Sequence, residues 1–298
     1  MKSFLKICLL VSIFTMTSLL ADEDSTNVKN EADDDYINWS EIIEFNKLRQ
    51  PRIDLVYGFA NPIYHKDAFK GGLSPVNVIG IELGYEKNSQ YNNSETVYKY
   101  KHENFFLSNI KEYSSKRESG DFSKVRTEAW RFGFNSCSGF GYELGSGMKL
   151  ALAASNGIGW TKLEFLDSAM TTGDQESLNY VGDAFRFGTQ TEAVINVKFT
   201  ENIGINAGFE RAIVFPRHMF WYWAGSEVLR GVGTGLLSTF VKEIGKSSPS
   251  SVPIVNFILQ NALNYGFYEL RQKNMNWPIE TEPPFMFDTF KVGVNINF

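Results

Sequence analysis

The residues best suited to chemistry gather near position 218. His218 is followed by Ser226, Glu227 and Ser238. A serine hydroxyl beside a histidine base, with a carboxylate orienting the ring, makes a nucleophile for hydrolysis. In that arrangement His218 is the base, Ser226 or Ser238 the nucleophile and Glu227 the orienting acid. No Gly-x-Ser-x-Gly elbow surrounds any serine. The other histidines, His65 and His102, have no metal-ligand spacing, and Cys8 and Cys137 are far apart. No zinc site, no Walker motif and no cofactor is therefore expected. The run Asp33-Asp34-Asp35 lacks the spacing of a calcium loop and reads as a solvated linker.

A second set of charges is spread along the chain: Asp54, Glu82, Glu86, Arg131, Arg186, Glu192, Lys198, Glu210 and Lys291. Each lies in a segment that alternates with a period of two, the mark of a strand. In 53–60, Ile53, Leu55, Tyr57 and Phe59 alternate with Asp54, Val56, Gly58 and Ala60. In 185–199, Phe185, Phe187, Thr189, Thr191, Ala193, Ile195, Val197 and Phe199 lie opposite Arg186, Gly188, Gln190, Glu192, Asn196 and Lys198. Eight such strands are expected, at 52–63, 75–88, 96–108, 126–138, 147–164, 184–199, 202–215 and 287–298. Ten is the alternative count, because Phe140, Tyr142 and Leu144 also alternate.

One face of each strand is apolar and aromatic; the other is glycine plus charge. A sandwich would bury the apolar face and keep glycine scarce. A narrow closed barrel reverses this. Its inside uses small residues to make room for paired charges, and lipid covers its apolar outside. The inward charges of mixed sign then form a salt-bridged plug rather than a pore.

The chain has 298 residues, 29 Lys+Arg against 34 Asp+Glu, a net charge of −5 and 15% aromatics. That balance argues against a nucleic-acid partner. Lys2 and Lys6, the apolar stretch Ile7–Phe14 and the small residue Ala21 read as an export signal over 1–21. Its removal takes two lysines and no acid, so the charge becomes −7. Cys137 is then alone, which excludes an internal disulfide. Residues 22–50 read as an acidic periplasmic segment with a short helix at Ile37–Leu48. No apolar run of 18 residues follows, so no spanning helix is expected.

The C-terminus is the most specific feature. Phe290, Val292, Val294, Ile296 and terminal Phe298 alternate with Lys291, Gly293, Asn295 and Asn297. This strand resembles the assembly signal of bacterial outer-membrane β-barrel proteins, and the pattern of strands and turns extends the resemblance over roughly 50–298. The resemblance implies an all-β transmembrane antiparallel barrel in the outer membrane, surrounded by its lipid. It also implies recognition of the last strand by the barrel assembly machinery. With an even strand number both ends face the periplasm. The connections 64–74, 109–125, 165–183 and 216–286 then lie outside, and 89–95, 139–146 and 200–201 become periplasmic turns.

Residues 216–286 are too many for a plain loop. Phe220, Trp221, Tyr222 and Trp223 read as an aromatic belt at the outer rim. Ser226 is a plausible N-cap for a helix carrying Val228, Leu229, Val232, Leu236, Leu237, Phe240, Val241 and Ile244. Pro253 suits the start of a second helix that ends near Lys273. The first expectation is an extracellular hairpin capping the barrel mouth. Interfacial helices and a partner-binding face are the alternatives.

These readings make the chain a non-enzymatic outer-membrane protein that anchors a helical insertion used for envelope integrity or contact, with its extracellular or envelope partner unspecified. The first alternative is a rim lipid hydrolase using His218, although the His-x-Ser pattern of lipid A deacylases is absent. The second is a small channel or carrier.

Overall fold

The computed structural model describes residues 49–298 apart from 68, 93, 113–123, 146 and 168–170. The export signal, the acidic stretch and the Ile37–Leu48 helix lie outside the described residues. Eight antiparallel strands close into a barrel. They are β1 (Gln50–Tyr64), β2 (Val76–Gln90), β3 (Val97–Glu112), β4 (Thr127–Gly145), β5 (Met148–Phe165), β6 (Phe185–Lys198), β7 (Ile203–Val214) and β8 (Phe285–Asn297). Each pairs with its neighbours in sequence, and β1 closes on β8 with Leu55 opposite Val294 and Phe59 opposite Phe290.

The count is eight, not ten. Phe140, Tyr142 and Leu144 continue β4, which runs to Gly145. The expected turn over 139–146 therefore shrinks to the step between Gly145 and Gly147. Both have positive φ, +83° and +79°, a conformation that glycine adopts without steric cost.

The alternation sorts side chains as a barrel requires. On β1, Leu55 is 57% exposed on the outside while Asp54 is fully buried in the lumen. Inward glycines make room for lumen side chains. A Cβ on Gly208 would meet the Glu192 carboxylate, one on Gly157 the Asn135 amide and one on Gly293 the Asn206 amide.

The barrel has two unlike rims. At the near rim, where Gln50 and Phe298 lie, the connections are short. At the far rim they are long. The far mouth is closed by helix α1 (Thr172–Val181), which forms within the connection 165–183. Its Leu178 and Val181 join inward Ile110, Leu163, Phe285 and Phe287, with Tyr64 and Phe69, in one apolar cluster. The carboxylate of Asp174 accepts the Lys70 N–H at 2.5 Å, which ties the first far-rim connection to α1.

The long insertion folds into α2 (Phe220–Ser247), a 3-10 turn at Pro249–Ser251 and α3 (Val252–Arg271). It does not cap the mouth. It lies along the outside of the barrel, with α3 against β4, β5 and β6. Its roots are at the far rim, where Trp223, Tyr268 and Met275 cover outward Ile158, Phe187, Ile213 and Met286. Its tip is at the near rim. There Val241 and Val252 pack with Tyr91 and Val97, and Tyr142 Oη donates to the Ser250 carbonyl at 2.6 Å. The expectation of a hairpin capping the mouth is thus corrected: α1 already fills the mouth, and the hairpin packs on the outer wall through apolar clusters at both ends and a polar seam between them.

Candidate functional site

The lumen holds the densest set of charged groups, placed by inward positions of six strands. Arg52 on β1 forks onto both oxygens of Asp54, at 2.8 and 2.6 Å. It also donates to Glu86 on β2 and to Tyr100 Oη on β3, each at 2.7 Å. Lys198 on β6 reaches the other Glu86 oxygen at 2.5 Å. Asn206 on β7 donates to Asp54 at 2.6 Å.

A second group lies further up the barrel. Lys291 on β8 stands 2.8 Å from Glu192, 3.0 Å from Glu210 and 3.6 Å from Glu82. Arg131 on β4 binds the free oxygen of Glu210 at 2.7 Å and also donates to Gln190. Charge-assisted bonds of this kind join opposite walls across a low-dielectric interior. The cavity left beside Glu82, Arg131, Glu210 and Lys291 measures about 20 Å3, room for about one water.

Of the lumen charges expected from sequence, Glu82, Glu86, Arg131, Glu192, Lys198, Glu210 and Lys291 come together here, and Asp54 with them. Arg186 does not. It sits at the far end of β6 and donates to the carbonyls of Pro216 and Tyr180, at 2.7 and 2.9 Å. The lumen at that height is an apolar plug, so its guanidinium turns to rim carbonyls instead. Arg52, at the foot of β1, was missed: it opens the expected strand 52–63 but lies just before the alternation 53–60 from which the inward charges were read. Its place on the inward parity with Asp54 was the available signal.

Among the described residues, Asp54, Glu82 and His102 bring potential metal-ligating atoms within 4.8 Å of one another. Arg52 already occupies both Asp54 oxygens, and Lys291 stands beside Glu82.

The hydrolase candidates are not assembled into a dyad. Ser226 lies inside α2 rather than at its start, because the helix begins at Phe220 with Met219 as cap. Its hydroxyl donates to the Trp277 carbonyl at 2.5 Å and accepts from Arg271 at 2.6 Å. The hydroxyl hydrogen is thus spent on a carbonyl, not on a base. The His218 ring packs edge-on against Phe187, with centroids 4.7 Å apart. Glu227 is held by Arg230 at 2.7 Å and Arg271 at 2.9 Å, and Ser238 donates to Thr234.

These residues build a polar seam between helix and wall. Arg230 also donates to Asn156 at 2.8 Å, and Asn156 is an outward residue of β5. Nearby, Tyr268 Oη donates to outward Asp288 at 2.6 Å, and Arg211 lies over the Tyr265 ring at 4.5 Å.

The four aromatics expected as a belt form the first turn of α2 and divide by face. Trp221 is 80% exposed and Tyr222 is exposed as well, whereas Trp223 is only 6% exposed and packs against Phe187 with Phe220 close by. The C-terminal residues Phe290, Val292, Val294, Ile296 and Phe298 all face outward and are exposed.

No protein-family model matches the chain, and no curated protein sequence does. Among solved structures, Neisserial surface protein A (NspA) aligns over 84% of this chain and 97% of its own, with 9% identity and a TM-score of 0.38. Ail, the attachment invasion locus protein of Yersinia pestis, aligns over 84% and 99%, with 9% identity and a TM-score of 0.29. The outer membrane protein OprG from Pseudomonas aeruginosa aligns over 84% and 96%, with 8% identity and a TM-score of 0.30. At this distance no residue role transfers from any of them.

Proposed function

We propose that the chain is an integral outer-membrane β-barrel protein that serves as a closed, non-enzymatic membrane anchor. One observation carries this reading: the polarity of the barrel is inverted. Leu55, Ile79, Ile205 and Phe290 are exposed around the outside, whereas Arg52, Asp54, Glu86 and Glu210 are buried within. In water that arrangement would expose the apolar face and desolvate the charges together. In a bilayer the same apolar face meets hydrocarbon, and the closed ladder leaves no unpaired strand edge in lipid.

The sequence supplies the rest of the reading. The export signal expected at 1–21 directs the chain out of the cytoplasm, and the outward Phe290–Phe298 stripe is the part offered to the assembly machinery. The role is envelope integrity or contact, presented by the far-rim connections and the helical insertion. A channel is disfavoured by the ion pairs that join opposite walls, and a hydrolase by the committed Ser226 hydroxyl.

Fractionation of cells tests the reading. The protein is expected in the outer-membrane pellet after high-salt and carbonate washing. Release by osmotic shock would identify a soluble periplasmic protein and overturn it.

A further inference from the structure

We infer that the α2–α3 hairpin lies within the bilayer beside the barrel, with lipid hydrocarbon covering its outward face and its tip at the periplasmic rim. This rests on the outer-membrane reading above.

The hairpin, like the barrel, leaves a broad apolar face uncovered by protein and turns the ionised groups of its seam to protein partners. Its outward face carries Val232, Leu236 and Phe240 from α2 and Ile254 and Ile258 from α3; Leu236 is 69% and Ile258 58% exposed. Its buried side is mixed: Ser226, Asn256, Asn264 and Arg271 lie there beside Trp223, Val241, Val252 and Tyr268. A helix laid on a soluble domain does the opposite and turns its apolar stripe to the core. Polar and ionisable residues inside a membrane instead face a protein neighbour and pair there. The seam of Glu227, Arg230 and Arg271 against Asn156 does that.

The charge distribution along the helices agrees. Residues 231–241 carry no Asp, Glu, Lys or Arg, and neither do residues 252–268. Exposed Lys242, Glu243 and Lys246 lie towards the tip, at the near rim. The 20 residues of α3 span about 30 Å, the thickness of a hydrocarbon core. No helix among the described residues is long and apolar enough to cross a membrane by itself. The barrel wall accounts for that, because it accepts the polar side chains that an isolated helix would expose to lipid.

Lipid rather than a second copy is the occupant, because the exposed apolar surface does not stop at the hairpin. It continues onto the outward faces of β1, β2, β7 and β8 at Leu55, Ile79, Ile205 and Phe290. A partner chain would cover one sector; a bilayer covers the whole circumference.

Single-cysteine variants in a Cys137→Ala background test this with a membrane-impermeant maleimide. Glu176→Cys on α1 reports the far rim, Ser247→Cys the hairpin tip, Leu236→Cys the outward helix face and Val292→Cys the barrel face. On intact cells only Glu176→Cys is expected to label. Ser247→Cys is expected to label once the outer membrane is permeabilised. Leu236→Cys and Val292→Cys are expected to stay unlabelled until the protein is denatured.

Labelling of Ser247→Cys on intact cells would overturn the inference. So would labelling of Leu236→Cys in membranes where Val292→Cys is protected, and in that case the barrel reading stands. Labelling of Val292→Cys as well would mean that the barrel reading itself has failed. Oxidative crosslinking of Leu236→Cys into a disulfide dimer would replace lipid with a second copy.

Discussion

Lys291 is where the upper half of the lumen network converges. It faces Glu82, Glu192 and Glu210 inside a closed barrel. Replacing it with methionine keeps the volume and leaves the carboxylates together with Arg131 as their remaining cation. Removing one partner of a buried ion pair costs about 3–5 kcal/mol. We expect Lys291→Met to lower the free energy of unfolding measured by urea titration in detergent or lipid by that amount, and an unchanged value would show that the network is not stabilising. The inward acids and bases were legible because a period of two fixes the face of each residue once the strand is recognised. Arg52 and Arg186 were not, and for opposite reasons. Parity does not say how far along the barrel axis the polar interior extends. Arg52 lies at the near end, where the polar lumen begins, and Arg186 lies at the far end, where the apolar plug has replaced it.

At the scale of elements, the structure adds two devices to the barrel. The first is α1, docked in the far mouth and joined to the first far-rim connection through Asp174. Backbone N–H donation from Lys70 holds the Asp174 carboxyl below the ordinary aspartate range, with Thr171 and Gly71 assisting. A carboxyl lowered on folding contributes stability above its unfolded value and loses it only as the pH falls through the lowered native value. Hydrogen exchange of the amides at 69–73 should therefore stay slow down through the usual aspartate range near about pH 4 and quicken only below it. Quickening already at neutral pH, with the ion unchanged, would show that the contact does not hold the connection.

The second device is the polar seam under the hairpin. Arg230→Ala removes the link from Glu227 to Asn156, a loss of about 1 kcal/mol for a half-buried charge-assisted link, because Arg271 still holds Glu227. In detergent micelles we expect faster trypsin cleavage after Lys242 and Lys246, with the barrel intact. Unaltered cleavage would mean that apolar contacts alone hold the hairpin. The existence of both long helices was legible in their 3.6-residue period, but their placement was not. Periodicity reveals an apolar stripe without saying whether protein or lipid covers it. Here the stripe is left outward and the buried polar residues face the wall. The short helix α1 went unseen because, within Thr172–Val181, only Leu178 and Val181 are buried apolar residues, too few to set a period.

At the scale of the whole molecule, strand number, closure and lumen chemistry act together. Eight strands leave an interior that side chains can fill. The far mouth is closed by an apolar cluster, and the middle is crossed by ion pairs. Planar bilayers containing the purified protein are therefore expected to show no stepwise conductance at any applied voltage; reproducible unitary steps would point to a channel. The strand order was legible because consecutive strands pair, and because long connections at one rim alternate with short ones at the other. Gel mobility is the direct test of whether this closed barrel is folded in the outer membrane. Outer-membrane material is run in SDS with and without boiling. A closed barrel resists SDS when cold, so a mobility shift on heating is expected, with the unboiled band disappearing. Identical mobility in both lanes, with the protein recovered in osmotic-shock fluid, would contradict it and would require the inward and outward faces to be exchanged.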